Sequence, residues 1–123
     1  MIAIGSDHGG FELKGHIIEH LKEKGIEVKD FGTYSEASVD YPDCAKPVCK
    51  AVLDGECECG ILICGTGIGI SMAANKFKGI RAALCGDVFS AKMSKEHNNA
   101  NVICMGGRVL GRELANMIVD TYL

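Results

Sequence analysis

A chain of 123 residues, 47% of them hydrophobic, has room for one domain with a packed core and not for two. Thirteen basic against sixteen acidic residues give a net charge of -3, without a basic block or aromatic-basic interleaving, which argues against a nucleic-acid partner. No apolar run approaches the ~18 residues of a membrane span, and the N-terminus opens on a strand pattern instead of a signal peptide.

Met1 to Ser6 reads as a buried strand that ends in the polar, flexible Asp7-His8-Gly9-Gly10. Phe11 to Lys24 turns helical, with Leu13, Ile17, Ile18 and Leu21 on one face and Gly25 as the stop. Glu27 to Phe31 gives a second strand, and Thr33 to Asp40 lacks any apolar period and reads as a loop. A second helix fits Tyr41 to Leu53, although Pro47 removes a backbone donor there, so the helix either starts near Pro47 or kinks.

The strand Gly60 to Cys64 breaks into glycines at 65, 67 and 69, followed by a helical segment from Met72 to Lys76. Ile80 to Leu84 is the fourth strand, and Asp87 suits the N-cap of a helix through Val88, Phe89, Lys92 and Met93. The polar cluster Glu96 to Asn101 leads into a fifth strand, Val102 to Met105, and then Gly106-Gly107-Arg108. Gly111 to Leu123 closes with a helix that lacks a C-terminal stop signal and is expected to continue.

Five strands alternating with five helices predict an α/β fold: a three-layer α/β/α, Rossmann-like domain with a five-stranded parallel sheet and helices on both faces. Chemistry in such folds gathers at the carboxyl ends of the strands. There the chain puts Asp7 and His8, Cys64 to Ser71, Asp87 and Arg108.

Several readings of these residues compete. Gly65-Thr66-Gly67 with Asp87 starts a dinucleotide fingerprint, but Ile70 stands where its third glycine belongs. Cys57-Glu58-Cys59 is spaced too tightly for a zinc clip, and the odd count of seven cysteines fits packing thiols in a reducing cytoplasm. Cys64 is either one more such thiol or a reactive one at the mouth of an anion-stabilising turn. Three asparagines close to His97 suggest ligand hydrogen bonds more than a plain turn. Tyr41 can be core, His16 and His20 read as surface or boundary residues, and Arg108 suits an anion. Together these features suggest chemistry on a small phosphorylated, hydroxyl-rich molecule; a non-catalytic sugar-phosphate or nucleotide sensor is the rival.

The chain resembles the type B ribose-5-phosphate isomerase family, which also holds galactose-6-phosphate isomerase subunits. Gly5-Ser6-Asp7-His8-Gly9-Gly10-Phe11, Asp30-Phe31-Gly32-Thr33, Asp40-Tyr41-Pro42, Gly60 to Gly69, Ala73 to Lys76, His97 to Val102 and Gly106-Gly107-Arg108 carry the likeness. It implies an aldose–ketose isomerase acting on ribose 5-phosphate without metal or organic cofactor, in a homodimer or dimer of dimers with shared sites. Six-carbon substrates, allose or galactose 6-phosphate, are the alternative.

By that resemblance His97 with Asp7 opens the sugar ring, Cys64 moves the proton between C2 and C1, and Thr66 shuttles protons between the oxygens. The amides of Gly65, Gly67, Ile68, Gly69, Ile70 and Ser71 hold the enediolate charge. His8 and Arg108 bind phosphate, and Tyr41 and Asn98 touch the substrate. Part of the family has a carboxylate base where Ile70 stands, and members usually add arginines from a C-terminal segment. Arg112, at a helix start, is not placed in the site.

Overall fold

The computed structural model describes residues 1–123. β1 (Ile2–Ser6), β3 (Cys59–Cys64) and β5 (Val102–Gly106) are buried along their whole length. Continuous apolar runs of this kind suit central parallel strands, which are covered on both faces. β2 (Val28–Asp30) and β4 (Ala82–Leu84) have three residues each and lie at the edges. All pairings are parallel, in the order β2-β1-β3-β5-β4.

Five helices cover the sheet: α1 (Phe11–Glu23), α2 (Tyr41–Leu53), α3 (Ile68–Ala74), α4 (Val88–Glu96) and α5 (Arg112–Tyr122). On one face Ile4, Ile61, Ile63 and Ile103 pack against Ile17 and Leu21 of α1, Ala91 of α4 and Ile118 of α5. On the other, Ala3, Leu62 and Cys104 meet Val48 of α2 and Ile70 of α3. Each such aliphatic side chain contributes roughly 1.5–3 kcal/mol on burial, so this two-sided core dominates the short edge strands. Tyr122 is also fully buried, and its hydroxyl donates to the Ala100 carbonyl at 2.8 Å. No helix is long and apolar enough to cross a membrane.

The chain reaches β2 from β1 over one face and β3 from β2 over the other. The crevice between the carboxyl ends of β1 and β3 is therefore a topological switch point, where open α/β sheets bind their ligands.

The main departures from the expected elements have local causes. α3 begins at Ile68 and not at Met72, because Gly67 adopts φ +82 and turns the chain into the helix at once. α2 spans Tyr41–Leu53 as expected, and of the alternatives left open at Pro47 the start at that proline is the one that does not occur. Pro47 costs the helix one donor, and the burial of Ala45, Val48 and Cys49 around it offsets the loss. β4 starts two residues late because the Asn101 side chain takes up the Arg81 N–H (2.8 Å) and the Gly79 carbonyl (2.9 Å).

Candidate active site

Three loops meet at the carboxyl edge, and their glycines let backbone pack on backbone. A Cβ on Gly9 would stand 2.9 Å from the Gly65 nitrogen, and one on Gly107 would stand 2.6 Å from the Gly9 oxygen. The β5 loop is tied to the β3 loop by the Gly107 N–H on the Cys64 carbonyl (2.8 Å) and the Arg108 N–H on the Gly65 carbonyl (3.0 Å). Asp7 is buried at the end of β1, where its Oδ1 accepts from the amides of Gly9 (2.8 Å) and Gly10 (3.2 Å). This fixes the turn that carries His8.

Outside the seam lies a cleft of about 470 Å³, walled by His8, Glu12, His16, Glu36, Arg108 and Arg112 among others. The Arg108 guanidinium lies over Gly65, which has no side chain to obstruct it. His8 Nδ1 accepts the Val39 N–H at 3.2 Å, so in the neutral ring the proton sits on Nε2. Two arginines and two histidines make the cleft fit to hold an anion, with Glu12 and Glu36 on its walls.

Inside the seam Cys64 ends β3, 5% exposed, with the Gly67 N–H directed at Sγ at 3.1 Å. Burial raises the thiol pKa at Cys44, Cys57, Cys59, Cys85 and Cys104, and pushes Cys49 up to about 11. At each of those six, burial disfavours the thiolate. Cys57 and Cys59 are both buried, and no three His, Cys, Asp or Glu side chains are grouped together.

The loop's amides divide into used and free. Ile68 donates to Thr66 Oγ1 (3.1 Å) and Ser71 to the Gly67 carbonyl (3.2 Å), so neither of these two expected donors is open to a ligand. The Ser71 hydroxyl is also taken, by the Ile68 carbonyl at 2.8 Å. The amides of Gly65, Thr66, Gly69 and Ile70 have no internal acceptor. Ile70 offers only its backbone, because its side chain is fully buried in the core. Tyr41 is not core: it is exposed, and its ring covers Gly69, where a Cβ would come within 2.9 Å of it.

His97 and Asn98 do not join this group within one chain. α4 starts beside the carboxyl edge and runs back, leaving both residues exposed at the other end of the sheet. Asn101 adjoins Val102, which pairs with Gly60, whereas Cys64 pairs with Gly106. Four residues of strand, about 13 Å, separate those levels. The asparagine cluster is also less of a ligand site than expected. Asn99 supplies a left-handed turn (φ 51) and Asn101 clamps Gly79 and Arg81, while Arg81 holds the Asn98 carbonyl from Nε (3.0 Å) and Nη2 (2.7 Å). Asp87, the candidate ribose-binding acid, caps α4 through the Ser90 N–H at 2.7 Å.

Residues 2–123 match the model of the Ribose/Galactose Isomerase family. The chain belongs to the ribose/galactose isomerase family. A ribose-5-phosphate isomerase B of Escherichia coli (strain K12) is 57% identical over 122 residues, covering 99% of this chain and 82% of the relative. A galactose-6-phosphate isomerase subunit LacB of Clostridium acetobutylicum is 48% identical over 100% of this chain and 71% of the relative. Among solved structures, a ribose-5-phosphate isomerase B of Clostridium thermocellum superposes with a TM-score of 0.97 at 58% identity, over 98% of this chain and 82% of the other. One from Thermotoga maritima gives 0.97 at 56%, over 98% and 83%.

Against this isomerase background, the cleft residues that sequence reasoning did not place in a site are Glu12, His16 and Glu36, and Arg112, set aside as a substitute phosphate ligand, lines the cleft as well. His16 lies one helical turn from Glu12 on α1, and Arg112 opens α5 four residues after Arg108. The periodicity was visible, but which face of α1 lines the cleft depends on where the β5 loop and the Thr33–Asp40 segment settle.

Proposed function

We propose that this isomerase interconverts D-ribose 5-phosphate and D-ribulose 5-phosphate, opening the furanose ring and passing through a cis-enediolate. The observation that carries the reading is the juxtaposition across the Gly9–Gly65 contact. On one side lies the cleft that holds Arg108, Arg112, His8 and His16, and on the other Cys64, at the head of a loop with free amides. A phosphate bound by His8, Arg108 and Arg112 leaves the other end of a short sugar to reach the thiol.

In this scheme the Cys64 thiolate removes the C2 proton of the open-chain aldose and returns it to C1. Thr66 carries the hydroxyl proton between O1 and O2. An α-hydroxy-aldehyde proton is weakly acidic, so the amides of Gly65, Thr66, Gly69 and Ile70 are needed to hold the enediolate charge. No metal or organic cofactor enters the scheme. Tyr41, standing over Gly69, borders the sugar.

His97, which opens the ring together with Asp7, and Asn98 act in this reading from a second copy of the chain. Ile68, Met72, Leu84 and Phe89 are exposed around the edge strand β4, an apolar surface that a homodimer would cover. Residues 1–123 serve as one isomerase domain, and seven free thiols suit a cytoplasmic setting. Six-carbon sugar phosphates are the second reading, favoured by the likeness to the galactose-6-phosphate isomerase subunit.

The test is turnover of ribose 5-phosphate beside allose and galactose 6-phosphates, with NMR of solvent deuterium incorporation. Cys64→Ala is expected to lower kcat by about 10²–10⁴-fold while sugar-phosphate binding survives. Full turnover and exchange in that variant would remove Cys64 as the base. Binding without exchange in the wild type would favour a sensor.

A further inference from the structure

Lys14 is the one lysine of this chain buried from solvent, at 1% exposure, and nothing in the proposed chemistry uses it. A buried ammonium is costly unless every proton finds an acceptor. Here all three do: Nζ donates to Asp30 Oδ1 (2.7 Å), Asp30 Oδ2 (2.8 Å) and the Thr33 carbonyl (2.6 Å). The rings of Phe11 and Tyr34 flank it, with centroids at 5.5 and 5.3 Å. Asp30 in turn accepts the Gly32 N–H at Oδ1 (2.9 Å) and the Tyr34 hydroxyl at its carbonyl (3.1 Å). So charged a buried knot has to be either a core defect or a fastening.

What it fastens is the segment after β2. Residues 33–40 form neither helix nor strand. Their backbone bonds to the rest of the molecule are few: the Thr33 N–H on the Ser6 carbonyl (2.7 Å), Lys14 on the Thr33 carbonyl, and, at the far end, the Val39 N–H on His8 Nδ1 and the Asp43 N–H on the Asp40 carbonyl (3.2 Å). Between these ends Glu36 reaches the cleft wall. The start of the segment is thus held by Lys14 together with the Ser6 backbone, which also donates to the Gly32 carbonyl (2.7 Å), and its end orients the ring of His8.

We propose that Lys14 is a positioning residue for the anion cleft: by pinning Asp30 and Thr33 it holds Val39 against His8 Nδ1 and so presents the His8 Nε2–H to the phosphate. Lys14 itself touches no substrate. Its effect on sugar-phosphate turnover rests on the isomerase reading above, whereas its effect on His8 and on anion binding does not.

The experiment combines Lys14→Met with Val39→Pro, which leaves the lysine and deletes the N–H that His8 accepts, while also fixing φ at residue 39 and restricting Ser38. In wild-type protein without substrate, nitrogen-15 NMR of the neutral His8 ring is expected to show the Nε2–H tautomer; both variants are expected to give a mixture. Calorimetry with inorganic phosphate is expected to show about tenfold weaker binding, the loss of one charged hydrogen bond, and KM for ribose 5-phosphate is expected to rise equally with kcat kept. If Lys14→Met does not fold, Asp30→Asn loosens the same knot from its exposed side and is read the same way. An unchanged His8 tautomer and phosphate affinity in folded Lys14→Met or Asp30→Asn overturns the proposal. So does a loss of kcat at constant KM. Failure of the wild type to turn over ribose 5-phosphate, with the tautomer and phosphate effects present, would count against the substrate and not against Lys14.

Discussion

Gly67 stands at φ +82 with Leu84 Cδ1 and the Met105 backbone 2.5 and 2.8 Å from where its Cβ would be. A side chain there meets both left-handed strain, about 1–2 kcal/mol, and a wall of backbone that cannot yield. Gly67→Ala is therefore expected to lower the unfolding midpoint by more than the strain alone implies and to displace the N–H that faces Cys64. Denaturant melts compared with Gly25→Ala, a left-handed glycine with open space around it, isolate the clash; equal losses in the two variants would contradict it. At this scale the sequence was informative about chemistry and poor on geometry. The thiol beside alternating glycines marked the site. Which amides remain free depended on one backbone angle, and no pattern of residue types reports that.

At the scale of elements, α1 and α5 are joined by His20 and Lys24 on Asp120, at 2.8 and 2.9 Å. Partial burial acts to raise the Asp120 carboxyl, but the hydrogen bonds from Lys24 and His20 and their charges outweigh it and hold its pKa below the ordinary value. A carboxylate depressed on folding adds stability above its unfolded pKa of about 3.9, and that stability is lost as pH falls through the folded value. Asp120→Asn is expected to cost up to about 1 kcal/mol near neutral pH, as a half-exposed pair does, and to match the wild type once acid has protonated Asp120. A stability gap that stays constant from pH 7 to below the folded pKa would rule this out. The elements themselves were largely legible, because short apolar runs between polar or glycine breaks and four helical stripes needed no tertiary information. The expected bounds of α2 match despite Pro47, whose core neighbours outweigh a local propensity, whereas the late start assumed for α3 misled.

For the whole molecule, one face bears on the proposed shared site. Met72 and Leu84 are 63% and 45% exposed, and Asn75 takes both the N–H (2.8 Å) and the carbonyl (2.9 Å) of Ala82 on the edge strand. With that edge occupied, a second copy would dock by side chains and not by adding a strand. Met72→Glu with Leu84→Glu is expected to give a folded monomer with little turnover, read by sedimentation alongside the isomerase assay; a fully active monomer would refute the shared site. The residues alone could nominate His97 and Asn98, and only the family resemblance suggested a shared site, since their distance from Cys64 within one chain depends on the direction in which α4 crosses the sheet.

That direction has a genetic consequence. If each site draws Cys64 from one chain and His97 from another, a Cys64→Ala chain and a His97→Asn chain, each dead alone, repair one another when mixed. Random pairing makes half the dimers mixed, and each of these has one intact site and one doubly broken, so about a quarter of wild-type activity should return. Two broken copies of such a gene, expressed in one cell, would behave as a working one.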